Sequence, residues 1–120
     1  MERPQLLILS EPHEVTLRRM APLNELTVMQ IAKTADQAKL LLPQAEIVFL
    51  WESGGVWLRS FWNLATRLKW IHTSGVGVES LLFPEMLGSQ IFLTNSRGCY
   101  SNALAEFAIA AILYFAKDIP

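Results

Sequence analysis

A single cysteine, Cys99, excludes a disulfide framework within the 120-residue chain and fits a reducing compartment. There is no surplus of either charge: 10 Lys+Arg face 11 Asp+Glu, a formal net charge of −1. Sequence-neutral nucleic-acid binders neutralise phosphates with a basic surplus, so that class is excluded. No apolar run is long enough to span a bilayer; the longest, Phe107 to Ala116, is about half of the ~20 residues required. Met1-Glu2-Arg3-Pro4 opens no apolar core and offers no small-residue cleavage site, so no secretory signal is expected and the expected location is cytoplasmic. Repeats, low-complexity tracts and Gly/Ser linkers are also lacking, which leaves one domain.

Apolar residues, by contrast, reach 52% while charged residues stop at 18%. A chain with so much apolar surface to bury is not disordered. A domain this small should spend more residues on polar surface. With four Trp and six Phe, part of its apolar surface is expected to meet another domain or chain.

A short alternation runs through the chain. Gln5 to Ser10 is a continuous apolar run, the mark of a strand buried on both faces. Pro12 to Met20 has helical spacing and stops at Ala21-Pro22. Leu26 to Ile31 alternates like a half-exposed strand, and Thr34 with Gln37 forms a capping-box pattern that opens a helix ended by Pro43. Glu46 to Trp51 is a third, β-branched and aromatic strand, Ser53-Gly54-Gly55 a turn, and Val56 to Thr66 a helix with Trp57, Phe61, Leu64 and Leu68 in apolar spacing. Lys69 to Thr73 is a fourth strand, followed by a glycine loop at Gly75-Val76-Gly77 and a helix from Val78 to Leu87 that stops at Gly88. Gln90 to Thr94 is a fifth strand, Asn95 to Gly98 a turn, and Ser101 or Asn102 caps a last helix that runs to Lys117. Five such units predict an α/β fold: a flavodoxin-like, doubly wound parallel sheet of order 2-1-3-4-5, in three layers.

Ligands of such sheets bind beyond the carboxyl ends of the strands. Thr73 to Ser80 is the most informative loop there. Its glycines permit positive φ, and a following helix would aim free N–H groups at an anion without any Lys or Arg. An ordinary tight strand-to-helix turn explains the same residues equally well. Gly75 to Ser80 is not a dinucleotide fingerprint: Ser80 stands where the third glycine belongs, and the loop follows the fourth strand, not the first. Ser10-Glu11-Pro12-His13 has no glycine for a flavin phosphate. His72 reads as a locally hydrogen-bonded strand histidine and His13 as a turn residue. Cys99 has no motif around it, no metal-ligand spacing occurs, and Gly-x-Ser-x-Gly is absent. The residues alone supply no catalytic acid, base or nucleophile.

Leu68-Lys69-Trp70-Ile71-His72-Thr73-Ser74-Gly75-Val76-Gly77-Val78-Glu79 resembles the LKWI…SAG segment of the D-isomer-specific 2-hydroxyacid dehydrogenases. Leu93-Thr94-Asn95-Ser96-Arg97-Gly98 and Leu104-Ala105-Glu106-Phe107 resemble that family's TNS-x-G turn and its LAE helix, in a style close to glyoxylate/hydroxypyruvate reductases or phosphoglycerate dehydrogenases. The resemblance covers residues 66–120; earlier residues match only in the order of their elements. It implies that residues 1–120 are the flavodoxin-like substrate-binding lobe, without the NAD(P)-binding Rossmann domain. The family's catalytic Arg, its Glu-His pair and its nucleotide fingerprint lie beyond this stretch. No catalytic residue, no metal ligand and no cofactor bound by this chain alone are therefore expected, with NAD or NADP held by the parent protein.

The resemblance further implies that backbone N–H groups of Val76 and Gly77 hold a substrate carboxylate. Gly75 departs from the family's usual Ser, and Glu79 from its usual Asp. Tyr100 falls at a substrate-pocket position, Leu104 where an apolar residue packs against the nicotinamide, and Trp51 and Glu52 at the rim. The expected partners are a weakly bound small carboxylate, the nucleotide-binding domain, and a second copy: the helix over 101–117 is apolar around nearly its whole circumference, which predicts a homodimer. A free-standing interaction or receiver module, or an isolated half-domain, remain the alternatives. A receiver needs an acidic cluster after the first strand and an Asp after the third, and Glu11 and Trp51-Glu52 are poor substitutes.

Overall fold

A computed structural model describes residues 2–120. Five strands form one parallel sheet of order β2-β1-β3-β4-β5: β1 Gln5–Leu9, β2 Val28–Ala32, β3 Ile47–Leu50, β4 Trp70–Thr73 and β5 Phe92–Thr94. The expected order is the observed one. The continuous apolar run of β1 lies between β2 and β3, where both faces are covered, and the polar alternation of β2 lies at an edge.

In-register pairing divides the side chains into two faces. Leu7, Val48, Ile71 and Leu93 make one row, with Leu9, Leu50 and Thr73 in the next row on the same side. That side carries the core, closed by Ala38 and Leu42 from helix α2 (Ala35–Leu41) and the turn after it, Leu58 from helix α3 (Gly54–Ser60), and Leu81, Phe83 and Met86. The opposite face presents Leu6, Ile47, Trp70 and Phe92, then Ile8, Phe49, His72 and Thr94. Helix α1 (Glu14–Met20) and the 3-10 turn Ala21–Glu25 cover only its β1–β3 side, so Phe92 stays 74% exposed.

Several sequence expectations need correction. The segment after β3 is a short helix and a 3-10 turn (Trp62–Leu64), not one helix over Val56 to Thr66. Phe61 and Trp62 both pack against the core, and an α-helix would point neighbouring side chains about 100° apart; Phe61 leaves helical geometry at φ −113°, ψ 21°. Gly54 and Gly55, expected in a turn, open α3. A Cβ on Gly54 would lie 2.3 Å from the Leu9 carbonyl oxygen, so glycine is needed for α3 to approach β1.

The expected helix over Val78 to Leu87 is a 3-10 turn, Glu79–Leu81, followed by helix α4 (Pro84–Leu87). Pro84 disfavours helical geometry at Phe83, which is extended at φ −82°, ψ 158°. Gly75 and Gly77 do not use positive φ; among the described glycines only Gly98 does, at φ 85°. Thr34 does cap α2, accepting from the Gln37 N–H at 3.2 Å, and Gln37 accepts from Lys33 N–H rather than from the cap residue.

The last helix, α5 (Ser101–Ala116), begins after Tyr100 with no side-chain cap, where Ser101 or Asn102 was expected to cap. It joins neither layer over the sheet: apart from Ala111, its residues are exposed. Its 16 residues span about 24 Å. Their projection explains a radius of gyration of 17.5 Å, against about 13–14 Å for a compact chain of this length.

Candidate functional site

A cavity of about 460 Å³ opens beyond the carboxyl ends of β3 and β4. β3 contributes Leu50 and the following Trp51 and Glu52; β4 contributes Thr73 and the following Ser74, Gly75 and Gly77; Gly55, Ser80, Leu81 and Tyr100 complete the wall. Of the residues singled out from the sequence, Trp51, Gly75, Gly77 and Tyr100 thus meet at one place. Val76 does not line it and is 44% exposed. Leu104 lies on α5, 66% exposed and away from the cavity.

The loop after β4 is tied down on two sides. Ser74 N–H donates to the Leu50 carbonyl at 3.0 Å, and Gly75 N–H to Thr73 Oγ1 at 3.2 Å. From beyond β5, Ser96 N–H donates to the Gly75 carbonyl at 3.0 Å, Asn95 Nδ2 to the Val76 carbonyl at 2.6 Å, and Tyr100 Oη to the Ser74 carbonyl at 3.0 Å. These bonds consume carbonyl groups and leave N–H groups over. Among the described residues, the amides of Val76, Gly77 and Val78 find no acceptor in the chain. An anion can be held there by amide dipoles alone.

The donors come from the loop itself. The expected helix N-terminus is not present behind it, because the 3-10 turn and Pro84 replace that helix. Gly75 contributes space but no free donor. No Lys or Arg lines the cavity, and Glu52 is its ionisable side chain apart from the Tyr100 phenol. Glu79 folds over the loop, with Oε2 only 2.7 Å from where a Cβ on Gly77 would stand. Two carboxylates therefore oppose whatever anion the amides attract.

His72 faces away from this cavity. Its ring stacks on Phe49 at 5.8 Å and 10°. Trp70 Nε1 donates to Thr94 Oγ1 at 2.8 Å, and the Thr94 hydroxyl lies 2.8 Å from His72 Nδ1. With Thr94 accepting from Trp70, its own proton is free for Nδ1, which puts the ring proton on Nε2, toward Ser96 Oγ at 3.5 Å. Ser96 Oγ in turn donates to the Thr73 carbonyl at 3.1 Å. Burial holds the His72 pKa below its ordinary value. The reading as a locally bonded strand histidine stands. His13 is exposed, but its ring meets Trp51 edge-on at 5.7 Å, a contact that sequence spacing did not reveal.

Ser10 and Glu52, just beyond β1 and β3, both adopt positive φ, at 70° and 42°. These strands flank the point where strand order reverses, and non-glycine residues there store local strain. Leu50, Gly55 and Leu81 were missed. Period-2 reading of β3 could have found Leu50; nothing local marks the other two. Among the described residues no group of His, Cys, Asp and Glu could hold a metal ion, and no helix is long and apolar enough to cross a membrane.

No protein-family model matches the chain. No curated protein matches it either. Its structure does match a crystal structure of a D-isomer specific 2-hydroxyacid dehydrogenase family protein from Aeromonas salmonicida subsp. salmonicida, with a TM-score of 0.79 and 20% identity. The match covers 97% of this chain and 37% of that one, so the chain spans little more than a third of that protein's length. The two share the flavodoxin-like α/β fold.

Proposed function

We propose that the chain is the substrate-binding lobe of an NAD(P)-dependent oxidoreductase acting on 2-hydroxy or 2-oxo acids, of the D-isomer-specific 2-hydroxyacid dehydrogenase family. One observation carries the reading. Of the two segments that resemble the family, residues 93–98 tie residues 68–79 into a cavity-lining loop with spare N–H groups. The shared fold supports it. A receiver role is less well served: Glu11 is paired with Lys33 at 2.8 Å, and Glu52 stands alone after β3.

In this reading Val76 and Gly77 orient the substrate through its carboxylate, and the Trp51, Leu81 and Tyr100 side chains narrow the cavity around it. The residues present do not fit a dinucleotide, because the glycine loop lacks a third glycine and Glu79 sits over it. NAD or NADP then belongs to a separate nucleotide-binding domain that docks near Leu104. The chain alone turns nothing over and binds a small carboxylate at about millimolar strength or weaker. Titrating oxalate while following amide resonances tests this: Val76 and Gly77 shift if the reading holds, and shifts confined elsewhere refute it. Turnover of glyoxylate by the chain with NADH, abolished by mutation within it, refutes the assigned inactivity.

The remaining partner is a second copy. On α5, Phe107, Ile112 and Phe115 are 73%, 66% and 78% exposed. If the helix's apolar residues were covered, on the order of 800 Å² per copy would leave water, the scale of a standard interface. The proposed homodimer places α5 at its centre.

A further inference from the structure

Parallel sheets carry helices on both faces, and this sheet has one face only partly covered. Opposite the core, α1 and the Ala21–Glu25 turn lie over β1 and reach β3. Exposure then rises strand by strand: Ile47 and Phe49 are half-buried on β3, Trp70 is exposed on β4, and Phe92 and Thr94 are exposed on β5. A groove of about 320 Å³ runs along α1, between Met20 and Leu23 on one side and Phe49 and Trp70 on the other. No Lys, Arg, Asp or Glu lines it. Trp70 Nε1 already donates to Thr94 Oγ1, so the indole offers apolar ring surface and no free donor. Neighbouring strands lie about 4.8 Å apart, which makes the strip from β3 to β5 about 10 Å across; an α-helix with its side chains is about 10–12 Å wide. The strip has room for one helix.

The chain also carries one helix without a seat. At 100° per residue, Leu104, Phe107, Ala108, Ala111, Ile112 and Phe115 share one half of the α5 circumference. Glu106, the sole charged residue within Ser101–Ala116, lies on the other half. Ala108 and Ala111 sit in the middle of the apolar half, where small side chains let a helix come close to bulky rings such as those of Trp70 and Phe92. The helix does not reach its own strip. Its junction with β5 is pinned over the loop after β4 by Asn95 and Tyr100, and Cys99 N–H donates to the Ser96 carbonyl at 3.1 Å in a turn that needs positive φ at Gly98. That junction sends α5 outward and stretches the molecule to 57 Å against 34 and 26 Å in the other directions. The helix of a second copy can arrive with both junctions intact.

We propose that the apolar strip over β3, β4 and β5 is the docking site for α5 of a second copy, and that two copies exchange these helices about a two-fold axis. The inference rests on the reading of the chain as a homodimer built on α5, and adds the surface on which that helix sits. A two-fold pairing makes the contact twice, which covers both helices and both strips. Covering Leu104, Phe107, Ile112 and Phe115 together with Trp70 and Phe92 removes on the order of 800 Å² per copy, roughly 1,600 Å² for the pair, the area of a standard stable interface.

The test uses the whole chain, mixed from isotopically labelled and unlabelled copies, with nuclear Overhauser contacts filtered for those between copies. Ile112 and Leu104 methyl groups should contact the Trp70 and Phe92 rings of the other copy. Phe92→Glu puts a charge in the strip without touching α5, and should weaken association at least about tenfold by light scattering with circular dichroism unchanged. Val56→Glu, on α3 across the sheet and similarly exposed, should leave association as it was. Should Phe92→Glu fail to fold, the contacts in the unaltered chain still decide. A dimer whose contacts between copies join α5 only to α5, with Phe92→Glu as tight as the original, overturns the docking site and leaves the homodimer standing. A single-chain mass with Ile112 against Trp70 of the same copy shows α5 closing on its own sheet, and overturns both. A single-chain mass with no such contact overturns both as well.

Discussion

Replacing Gly54 by alanine sets two effects of opposite sign against each other. Gly54 opens α3 with an ordinary, negative φ. On helix propensity alone alanine should stabilise, by up to about 1 kcal/mol and less at a first-turn position. The new methyl, however, would lie 2.3 Å from the Leu9 carbonyl oxygen and 2.8 Å from Leu9 Cβ. That is more than ~1 Å inside the separation at which such atoms attract. The nearest obstacle is the backbone of β1, not a side chain that can swing aside, so α3 must back away. Leu58, fully buried on α3, then loses part of its packing. Overpacking of this kind costs about 1–3 kcal/mol or more, and the forced withdrawal of α3 puts the net loss at about 2–4 kcal/mol. For a domain this size the midpoint of thermal unfolding should fall by at least about 8 °C. Gly55→Ala is the control, since its Cβ would stand 3.4 Å from the flexible end of Leu81; it should change stability by less than about 1 kcal/mol. Circular dichroism melts of both variants read the difference. A Gly54→Ala chain as stable as the original refutes the close seating of α3 on β1, and with it the placement of Gly55 in the cavity wall.

Burial lowers the His72 pKa, so the unfolded chain binds its proton more readily than the folded one. Stability should therefore fall as pH drops below the ordinary value of 6.5, and His72→Gln should flatten urea-unfolding midpoints measured between about pH 7 and pH 5. Glu79→Gln removes one of the two carboxylates near the loop and should tighten oxalate binding about twofold to fivefold at low salt, by the amide-shift titration; unchanged affinity would mean that Glu79 does not face the bound anion. Light scattering across the micromolar range should give twice the 13.5 kDa chain mass, and Phe107→Glu should return it to one chain mass with circular dichroism unchanged; a constant single mass for the unaltered chain refutes the dimer.

The sheet was legible because its signal is periodic. An unbroken apolar run marks a central strand and polar alternation marks an edge, and β1 and β2 obeyed both rules. The connections were read less well, because their geometry depends on partners distant in sequence. Nothing near Phe61 and Trp62 announces a 3-10 turn; the demand that both pack against one core does. Pro84 is the local signal against a helix reaching back unbroken to Val78, because a proline disfavours helical geometry at the residue before it. The site was legible where a motif existed, at Gly75, Gly77 and Tyr100. The strained backbone at Ser10 and Glu52 appears only when β1 and β3 are brought together.

Three of the bonds that hold the loop after β4 originate beyond β5, which is a three-residue edge strand with exposed ends. Edge elements with few buried contacts open locally at lower free energy than the core. Each opening would release Asn95, Ser96 and Tyr100 together and let the loop's free amides scatter. The apparent affinity for an anion then equals the intrinsic affinity scaled by the fraction of time β5 is docked. A substitution at Phe92 or Leu93, touching no ligand, can thus weaken binding at Gly77, and whatever braces β5 from outside will strengthen it.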